Sequence, residues 1–263
     1  MEHADHYMPG YTPRIVRFME ARSAETHAQF FLPLLKPGMK LLDCGCGPGT
    51  ITRGLAARVA PGEVVGIDLE ETQIEIGRKD PAHPANLTYV QSGVYALPFP
   101  DGQFDAVFSH ALFEHIAEPV KALREIKRVL KPGGVAGLCS PDWDGFMFAP
   151  PDPEVQAAAA LFRRIQEANG GNTTAGRRLG VWLGEAGWRD VRMAARYECQ
   201  QDLTLMSEFL YDRLARAPKQ DDVFGRGWTD EASLKRILHA LRLWEKRPDG
   251  LFGLTWVSAV GRG

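Results

Sequence analysis

The sequence lacks the features that would connect it to a membrane or to a nucleic acid. No apolar run approaches the ~20 residues that a membrane-spanning helix needs. The first residues contain no basic stretch followed by an apolar one, so we expect no secretion signal. The net charge of -2 over 263 residues provides no excess of positive charge for a polyanion or an anionic membrane surface. We therefore expect a cytoplasmic protein with no membrane span and no nucleic-acid partner.

Cysteine is scarce as well, with four residues in the chain. Cys44 and Cys46 flank Gly45, whereas Cys139 and Cys199 lie in or near predicted strands. A Cys-x-Cys pair without a second pair and without clustered histidines does not have the spacing of a zinc site. We expect no metal, and we interpret the cysteines as small side chains in a crowded loop and core, in a reducing compartment.

What the sequence does contain is a glycine-rich turn directly after a short apolar run. The run ends at Asp43, and Gly45, Gly47 and Gly49 follow before an amphipathic helix begins. Glycines allow a ligand to lie directly against the backbone. A second apolar strand ends at Asp68, where a carboxylate is well placed to bind ribose hydroxyls. Together they predict a site for a ligand that contains a nucleoside.

Strands and helices alternate through the first half of the chain. Short apolar runs bounded by turn residues predict buried strands at 40–44, 63–68, 87–92, 104–110 and 134–140. Apolar stripes predict helices at 50–59 and 119–130 between them, and this alternation indicates a parallel sheet covered on both faces. After residue 140 the pattern predicts helices at 154–168, 174–186, 202–215 and 229–246, with strands at 189–198 and 252–260.

Four motifs, in order and at normal spacings, resemble those of the class I S-adenosylmethionine (SAM) dependent methyltransferases. They are Asp43-Cys-Gly45-Cys-Gly47-Pro-Gly49, Val64-Val-Gly-Ile-Asp68, Leu97-Pro-Phe-Pro-Asp-Gly-Gln-Phe-Asp105 and Ala122-Leu-Arg-Glu-Ile-Lys-Arg-Val-Leu-Lys-Pro-Gly-Gly134. The likeness covers about residues 38–140 and is greatest to the ubiquinone/menaquinone-type branch, which acts on small molecules. It implies a Rossmann-like, doubly wound α/β fold with seven strands in the order 3-2-1-4-5-7-6, strand 7 being antiparallel.

The resemblance also implies how a single methyltransferase domain over 1–263 is organised. We expect an N-terminal helical lid in 1–37, since segment 13–35 is predicted to be helical and precedes the first strand, and a SAM-binding core in 38–140. The acceptor side is expected in 141–187 and 199–250, and the latter includes a helical insertion between strands 6 and 7. The implied reaction transfers a methyl group from SAM, by in-line displacement, to O or C of a small apolar or aromatic molecule.

By the same resemblance, most SAM-binding residues lie in the motifs. The expected set is Arg22, Asp43, Gly45, Cys46, Gly47, Gly49, Thr50, Asp68, Leu69, Gln73, Ser92, Gly93, Val94, Ser109, His110 and His115. Asp68 is expected to bind the ribose and Leu69 to pack on adenine, while a guanidinium at Arg22 can pair with the methionine carboxylate. Many relatives have an Asp where this chain has Gly93, and that Asp binds the adenine amino group. We therefore expect weaker or rearranged adenine binding.

Two residues are candidates for the chemical step. His110 ends the fourth predicted strand, at the edge where ligands bind in such sheets, and a neutral histidine there can take a proton from a hydroxyl acceptor. The alternative is that His110 only lines the cofactor or caps a helix. Tyr11, like Tyr7, is a candidate to close over the sulfonium, whose charge favours an aromatic face. Glu114 and His115 are expected to open the next helix, with a capping or cofactor-side role.

The acceptor pocket is expected in the segments that the motifs leave out. Trp143, Phe146, Met147 and Phe148 lie in a proline-rich segment, 141–150, that is predicted to be a loop. Other aromatic and apolar side chains are expected in the core of the later helices: Met206, Phe209, Tyr211 and Trp228. An anionic acceptor would instead contact arginines of the helices, namely Arg163, Arg164, Arg177 and Arg178. The identity of the acceptor and the oligomeric state, a homodimer included, stay open.

Two other functions are compatible with parts of the pattern. A NAD(P)-dependent oxidoreductase needs Gly-x-Gly-x-x-Gly, whereas Gly45, Gly47 and Gly49 follow Gly-x-Gly-x-Gly, which speaks against it. A SAM-fold binding or regulatory protein without catalysis is the other alternative, and Gly93 is its single support. Methylation of nucleic-acid bases is disfavoured because the chain has no Asn-Pro-Pro-Tyr or Asp-Pro-Pro-Tyr segment.

Overall fold

A seven-stranded sheet forms the centre of the chain, which the computed structural model describes over residues 12–263. The strands are β1 (Leu41–Cys44), β2 (Val64–Asp68), β3 (Leu87–Gln91), β4 (Phe104–His110), β5 (Leu130–Ala149), β6 (Arg189–Gln200) and β7 (Leu251–Arg262). Their order is β3-β2-β1-β4-β5-β7-β6. β1 to β5 run parallel, whereas β7 is antiparallel to both β5 and β6. The fold class implied by the resemblance is confirmed.

Helices cover both faces of this sheet. They are α1 (Pro13–Glu20), α2 (Ala24–His27), α3 (Thr50–Val59), α4 (Glu71–Lys79), α5 (Pro119–Val129), α6 (Pro153–Ala168), α7 (Ala175–Glu185), α8 (Thr204–Gln220) and α9 (Glu231–Trp244). α8 and α9 form the expected helical insertion between β6 and β7. Among residues 12–263, no helix has the length and apolar character needed to cross a membrane.

The apolar core is divided by the sheet into two clusters, and a third lies under the later helices. On one face, buried side chains of α2 and α3 pack on β1 and β4; on the other, those of α5 and α7 do so. In the third cluster, α6, α8 and α9 pack against one another and against the ends of β5 and β7. This third cluster lies beyond the carboxyl end of β4, so it can form a roof over the edge where ligands bind in such sheets.

Segment 13–35, which is predicted to be helical, consists of short helices with breaks between them. α1 ends at Glu20, α2 spans four residues, and a 3-10 turn follows at Leu32–Leu34. The helix is interrupted because Ser23 is extended, with φ -139° and ψ 165°. α1 packs instead on α8, where the Arg17 guanidinium donates to Glu208 at 2.7 Å.

Segment 141–150 differs from the prediction, because most of it is not a loop. β4 ends at His110 opposite Cys139, and from Ser140 onward β5 continues beside β7 alone as far as Ala149, with a bulge after Asp142. An edge of a strand that pairs on one side only tolerates proline, and this explains why Pro141 does not end the strand. The proline content of the segment therefore gave a wrong prediction.

Candidate functional site

The glycine turn between β1 and α3 requires its glycines. Gly45, Gly47 and Gly49 have φ values of 75°, 53° and 79°, in the left-handed region where other residues are strained. The backbone N–H groups of Gly45 and Cys46 donate to the Ile67 carbonyl at 2.8 and 2.9 Å, which fixes the turn against β2. The predicted spacing thus produces a tight turn at the carboxyl edge of the two central strands.

A tyrosine ring supports this turn from below. A Cβ on Gly49 would lie 1.8 Å from the Tyr89 hydroxyl oxygen, and a Cβ on Gly66 or Gly77 would come within 3.0 Å or less of the same ring. Three glycines therefore form the slot that holds Tyr89. Because Gly49 faces this ring, its role is to admit Tyr89 beneath the turn, and it does not line the cavity above.

Two carboxyl groups lie next to the turn, one behind it and one in front. The Asp43 carboxyl, 2% exposed, accepts a hydrogen bond from the Thr52 hydroxyl at 2.6 Å, and burial raises its pKa to about 7. Asp68 accepts from the Gly47 N–H at 2.9 Å and from the Glu70 N–H at 3.0 Å, and burial raises its pKa as well. The Asp43 side chain thus holds the start of α3, whereas the Asp68 carboxyl spans the mouth of the turn.

A cavity of about 370 Å³ begins at this turn and extends under the roof of later helices. This volume lies in the range of about 300–1,000 Å³ that is usual for small-molecule sites. Its wall includes most of the residues predicted to bind SAM: Arg22, Asp43, Gly45, Cys46, Gly47, Thr50, Asp68, Leu69, Ser92, Gly93, Val94, His110 and His115. The structure therefore brings together residues that are distant in the sequence.

Three predicted residues do not line the cavity. Besides Gly49, these are Ser109, whose hydroxyl donates to the Cys44 carbonyl at 2.9 Å, and Gln73, a buried residue of α4 that is 1% exposed. Ser109 thus serves the pairing of β1 with β4. Tyr11, like Tyr7, lies outside the described residues.

Lack of space does not explain why position 93 is a glycine. A Cβ at this position would meet only Leu69 Cδ1, at 3.8 Å, which is an ordinary contact. Its backbone also lies outside the left-handed region, since Gly93 is absent from the positive-φ glycines among residues 12–263. The structure therefore offers no steric reason for the departure from the aspartate of many relatives.

His110 is held in the cavity wall by rings. Its imidazole, 5% exposed, stacks on Trp256 at a centroid distance of 4.6 Å and meets the edge of His27 at 5.1 Å. Neither ring nitrogen has a hydrogen-bond partner among the described residues. Burial, with further contributions from Arg22, His27 and Arg196, holds the pKa well below its usual value, so the ring is neutral. The chain turns sharply afterwards, because Ala111 has a φ of 56°.

Arg22 lines the cavity beside two aromatic rings. Its guanidinium carbon is 5.2 Å from the centroid of the Phe18 ring and 5.5 Å from that of Trp256. Within residues 12–263 no carboxylate forms an ion pair with it. A half-buried guanidinium in this place provides a positive charge for an anionic group of a ligand.

Glu114 and His115 do not open a helix, contrary to the prediction. They lie in the turn between β4 and α5, and α5 begins only at Pro119. Glu114 is 6% exposed and lines the cavity. It was expected to have a capping or cofactor-side role and was not among the residues predicted to bind SAM. Pro119 was the signal for the later start of α5, because a proline is preferred at a first helical position.

The far wall of the cavity is aromatic and comes mainly from the later segments. It contains Phe18, Trp143, Phe162, Phe209, Leu254 and Trp256. Phe209 was predicted to be core, and Leu254 and Trp256 were not singled out. Their alternation along β7 places both on one face, a signal that could have found them.

Several predicted pocket residues lie elsewhere. Phe146, Met147 and Phe148 of segment 141–150 are not in the cavity wall. Met206, Tyr211 and Trp228, which were expected in the core of the later helices, belong to the third apolar cluster or pack against it. The arginines considered for an anionic acceptor are not in the cavity wall either: Arg177 and Arg163 pair with Asp142 and Asp144, and Arg164 and Arg178 lie over Trp228 and Trp182. In the described part of the chain, no group of three or more His, Cys, Asp or Glu side chains is arranged to hold a metal ion.

Comparison with known proteins agrees with this geometry. Residues 42–138 match the family model described as a methyltransferase domain. An uncharacterised methyltransferase of Schizosaccharomyces pombe is 29% identical over 264 residues, covering 95% of this chain and 94% of that protein. The demethylmenaquinone methyltransferase of Staphylococcus carnosus is 40% identical over 103 residues, covering 39% of this chain and 43% of that enzyme. Other curated relatives are likewise matched over half their length or less.

Solved structures show the same fold. A putative methyltransferase from Bacillus halodurans has a TM-score of 0.61 at 18% identity, with coverage of 90% of this chain and 98% of that one. A phosphoethanolamine N-methyltransferase from Haemonchus contortus, in complex with phosphomonomethylethanolamine and S-adenosylhomocysteine, has a TM-score of 0.52 at 19% identity, with coverage of 87% and 49%.

Proposed function

We propose that the chain, a class I SAM-dependent methyltransferase, transfers the methyl group to O or C of a small aromatic or otherwise apolar molecule. The supporting observation is the continuity of the cavity. One end is the glycine turn with Asp68, and the other is the aromatic wall around Trp143 and Phe209. A site that holds donor and acceptor in one enclosed space supplies the alignment that methyl transfer chiefly requires.

The donor end fits SAM in shape and in charge. We assign the ribose hydroxyls to Asp68, whose carboxyl lies at the mouth of the turn, and the adenine to the apolar surface of Leu69 and Val94. The methionine carboxylate is assigned to Arg22, which has no carboxylate partner among the described residues. SAM when bound supplies a methyl group on a positively charged sulfur, which leaves with the electron pair of the broken bond.

The acceptor end favours an uncharged ring. Its surface is largely aromatic, and the arginines considered for an anionic acceptor are outside it. His110 offers an unpartnered nitrogen lone pair beside Trp256, which suits a hydrogen bond from an acceptor hydroxyl. The role of His110 as the base stays a prediction. Its strongly lowered pKa counts against that role, because such an imidazole holds a proton poorly.

The relatives agree with a small acceptor without naming it. The match to the demethylmenaquinone methyltransferase covers 39% of this chain, so a quinol-type acceptor is an extension of that likeness. The lid in 1–37 and the acceptor segments in 141–187 and 199–250 belong to this proposal. The cytoplasmic location, the lack of a nucleic-acid partner and the oligomeric state stay predictions from the sequence.

Binding and turnover test the proposal separately. Titration calorimetry with S-adenosylhomocysteine is expected to show one site, weakened about tenfold or more in Asp68→Ala through loss of hydrogen bonds to a charged group. Asp249→Ala, a change of an exposed carboxylate outside the cavity, is the matched control. Turnover is measured as S-adenosylhomocysteine formed with 1,4-naphthohydroquinone, catechol and 2-naphthol. Absence of binding to the unchanged protein would contradict the donor assignment.

A binding protein without catalysis is the second candidate, supported by Gly93 alone. It predicts that S-adenosylhomocysteine binds and that none of these acceptors is methylated. Methylation of any one of them excludes it.

A further inference from the structure

Glu114 is a buried carboxyl group in the cavity wall to which the functions above give no role. Its Oε2 accepts hydrogen bonds from Trp143 Nε1 at 3.2 Å and from Gln166 Nε2 at 3.1 Å. Both donors are themselves buried, on β5 and on α6. Oε1 lies 3.7 Å from His115 Nε2, beyond hydrogen-bond distance. A proton can therefore be added to Oε1 without breaking either bond to Oε2.

The aromatic part of the cavity lies directly beside this carboxyl group. The Trp143 ring that binds Glu114 packs on Phe162, with centroids 4.5 Å apart, and lies parallel to Phe209 at 6.3 Å. These rings form the wall against which a flat acceptor would pack. A polar group on the edge of that acceptor can then lie next to the Glu114 carboxyl group.

The charges around Glu114 suit an exchange of protons near neutral pH. Burial raises its pKa to about 7, although the bonds from Gln166 and Trp143 and the charge of Arg22 act in the opposite direction. The other titratable groups beside it are His115 and Cys139. A base is most effective when its pKa lies near the working pH, a condition that Glu114 meets and His110 does not.

We propose that the acceptor is an aromatic ring bearing a hydroxyl group and that Glu114 is the catalytic residue that takes the hydroxyl proton, an inference that rests on the proposed function. The acceptor O–H bond breaks, the proton binds Oε1, and the electron pair stays on the acceptor oxygen. Conjugation spreads this electron density into the ring. The same proton transfer therefore activates either the oxygen or a ring carbon for methylation.

The kinetic test uses two hydroxyl acceptors of different acidity. 2-Naphthol is almost wholly un-ionised at neutral pH and needs a base, whereas a substantial part of 4-nitrophenol is already ionised in solution and binds as the phenolate. Glu114→Gln, which keeps an oxygen for Trp143 and Gln166, is expected to lower kcat on 2-naphthol by about 100-fold or more and on 4-nitrophenol by less than about threefold, because general bases contribute about 10²–10⁴. Glu118→Gln, the same change at an exposed carboxylate, is the matched control and should behave like the unchanged protein.

Infrared difference spectra give a readout that does not depend on turnover. In the S-adenosylhomocysteine complex, two protonated-carboxyl contributions, from Glu114 and from Asp43, are expected to disappear as the pH rises through about 7, and Glu114→Gln is expected to lose the first while keeping the second. If the unchanged protein and Glu114→Gln have the same protonated-carboxyl absorption at every pH, the role of Glu114 is overturned. An equal loss of kcat on both acceptors also overturns it, since a structural defect would not distinguish them. If the unchanged protein methylates neither compound, the aromatic-hydroxyl acceptor is wrong, and the role of Glu114 is refuted with it.

Discussion

Replacing Gly93 by aspartate should tighten SAM binding. The position has space, since a Cβ would meet only Leu69 Cδ1, at 3.8 Å, and the backbone there is not in the left-handed region. By resemblance, an aspartate here accepts a hydrogen bond from the adenine amino group. Gly93→Asp would therefore add one polar contact to a site that already has the neighbouring surfaces.

The expected gain follows from the surroundings of the position. Hydrogen bonds to charged groups contribute about 1.5–3 kcal/mol net. Leu69, beside Gly93, is 49% exposed, so water competes with the added bond. The lower end, ~1.5 kcal/mol, is the appropriate figure and corresponds to a Kd about tenfold lower.

Titration calorimetry with S-adenosylhomocysteine measures this gain, with Gly93→Ala as the matched control. Alanine fills the same space without an acceptor and is expected to change Kd by less than about twofold. The reasoning is refuted if aspartate does not lower Kd, or if alanine lowers it as much. Either result would mean that the adenine does not lie beside Gly93.

Three further outcomes concern stability, measured by urea unfolding. Gly49→Ala should lower the free energy of unfolding by at least about 1–2 kcal/mol, because φ is 79° and the new Cβ would lie 1.8 Å from the Tyr89 hydroxyl. An unchanged urea midpoint would contradict this. Arg213→Met should lower the free energy of unfolding by about 3–5 kcal/mol, because it leaves the buried Asp221 without its ionic partner. The double variant Arg213→Met with Asp221→Leu should recover most of this loss. An equal loss in the single and the double variant would contradict the pairing. Glu114 has a folded pKa of about 7, above its usual 4.5, so its contribution to stability is present below about pH 4 and lost as the pH rises through about 7. Glu114→Gln should therefore gain stability relative to the unchanged protein between pH 5 and pH 8, by at most about 3 kcal/mol, and a difference independent of pH would contradict the raised pKa.

The donor half of the site could be predicted from the sequence because its geometry is local. Each short apolar run between turn residues became a strand within about one residue at β1, β2 and β4, and the glycine spacing fixed the turn. Asp43 and Asp68 directly follow or end such runs, so their place at one edge of the sheet follows from parallel pairing.

The acceptor half could not be predicted in the same way, because its parts meet only in the tertiary structure. Trp256 reaches His110 through antiparallel pairing of β7 with β5, over a separation that no local pattern reveals. Phe209 lies on a helix whose apolar face is shared between core and cavity. The true extent of β5 depends on β7 as its partner, which is why the prolines of 141–150 misled the prediction.

The most direct test of methyl transfer uses SAM with a deuterated methyl group and 1,4-naphthohydroquinone as acceptor, followed by mass spectrometry. The expected product is the acceptor carrying the labelled methyl group, with one S-adenosylhomocysteine formed for each product molecule. S-adenosylhomocysteine at no more than the level without acceptor, or a product without the label, would contradict transfer of the methyl group to an aromatic hydroxyl acceptor in this cavity.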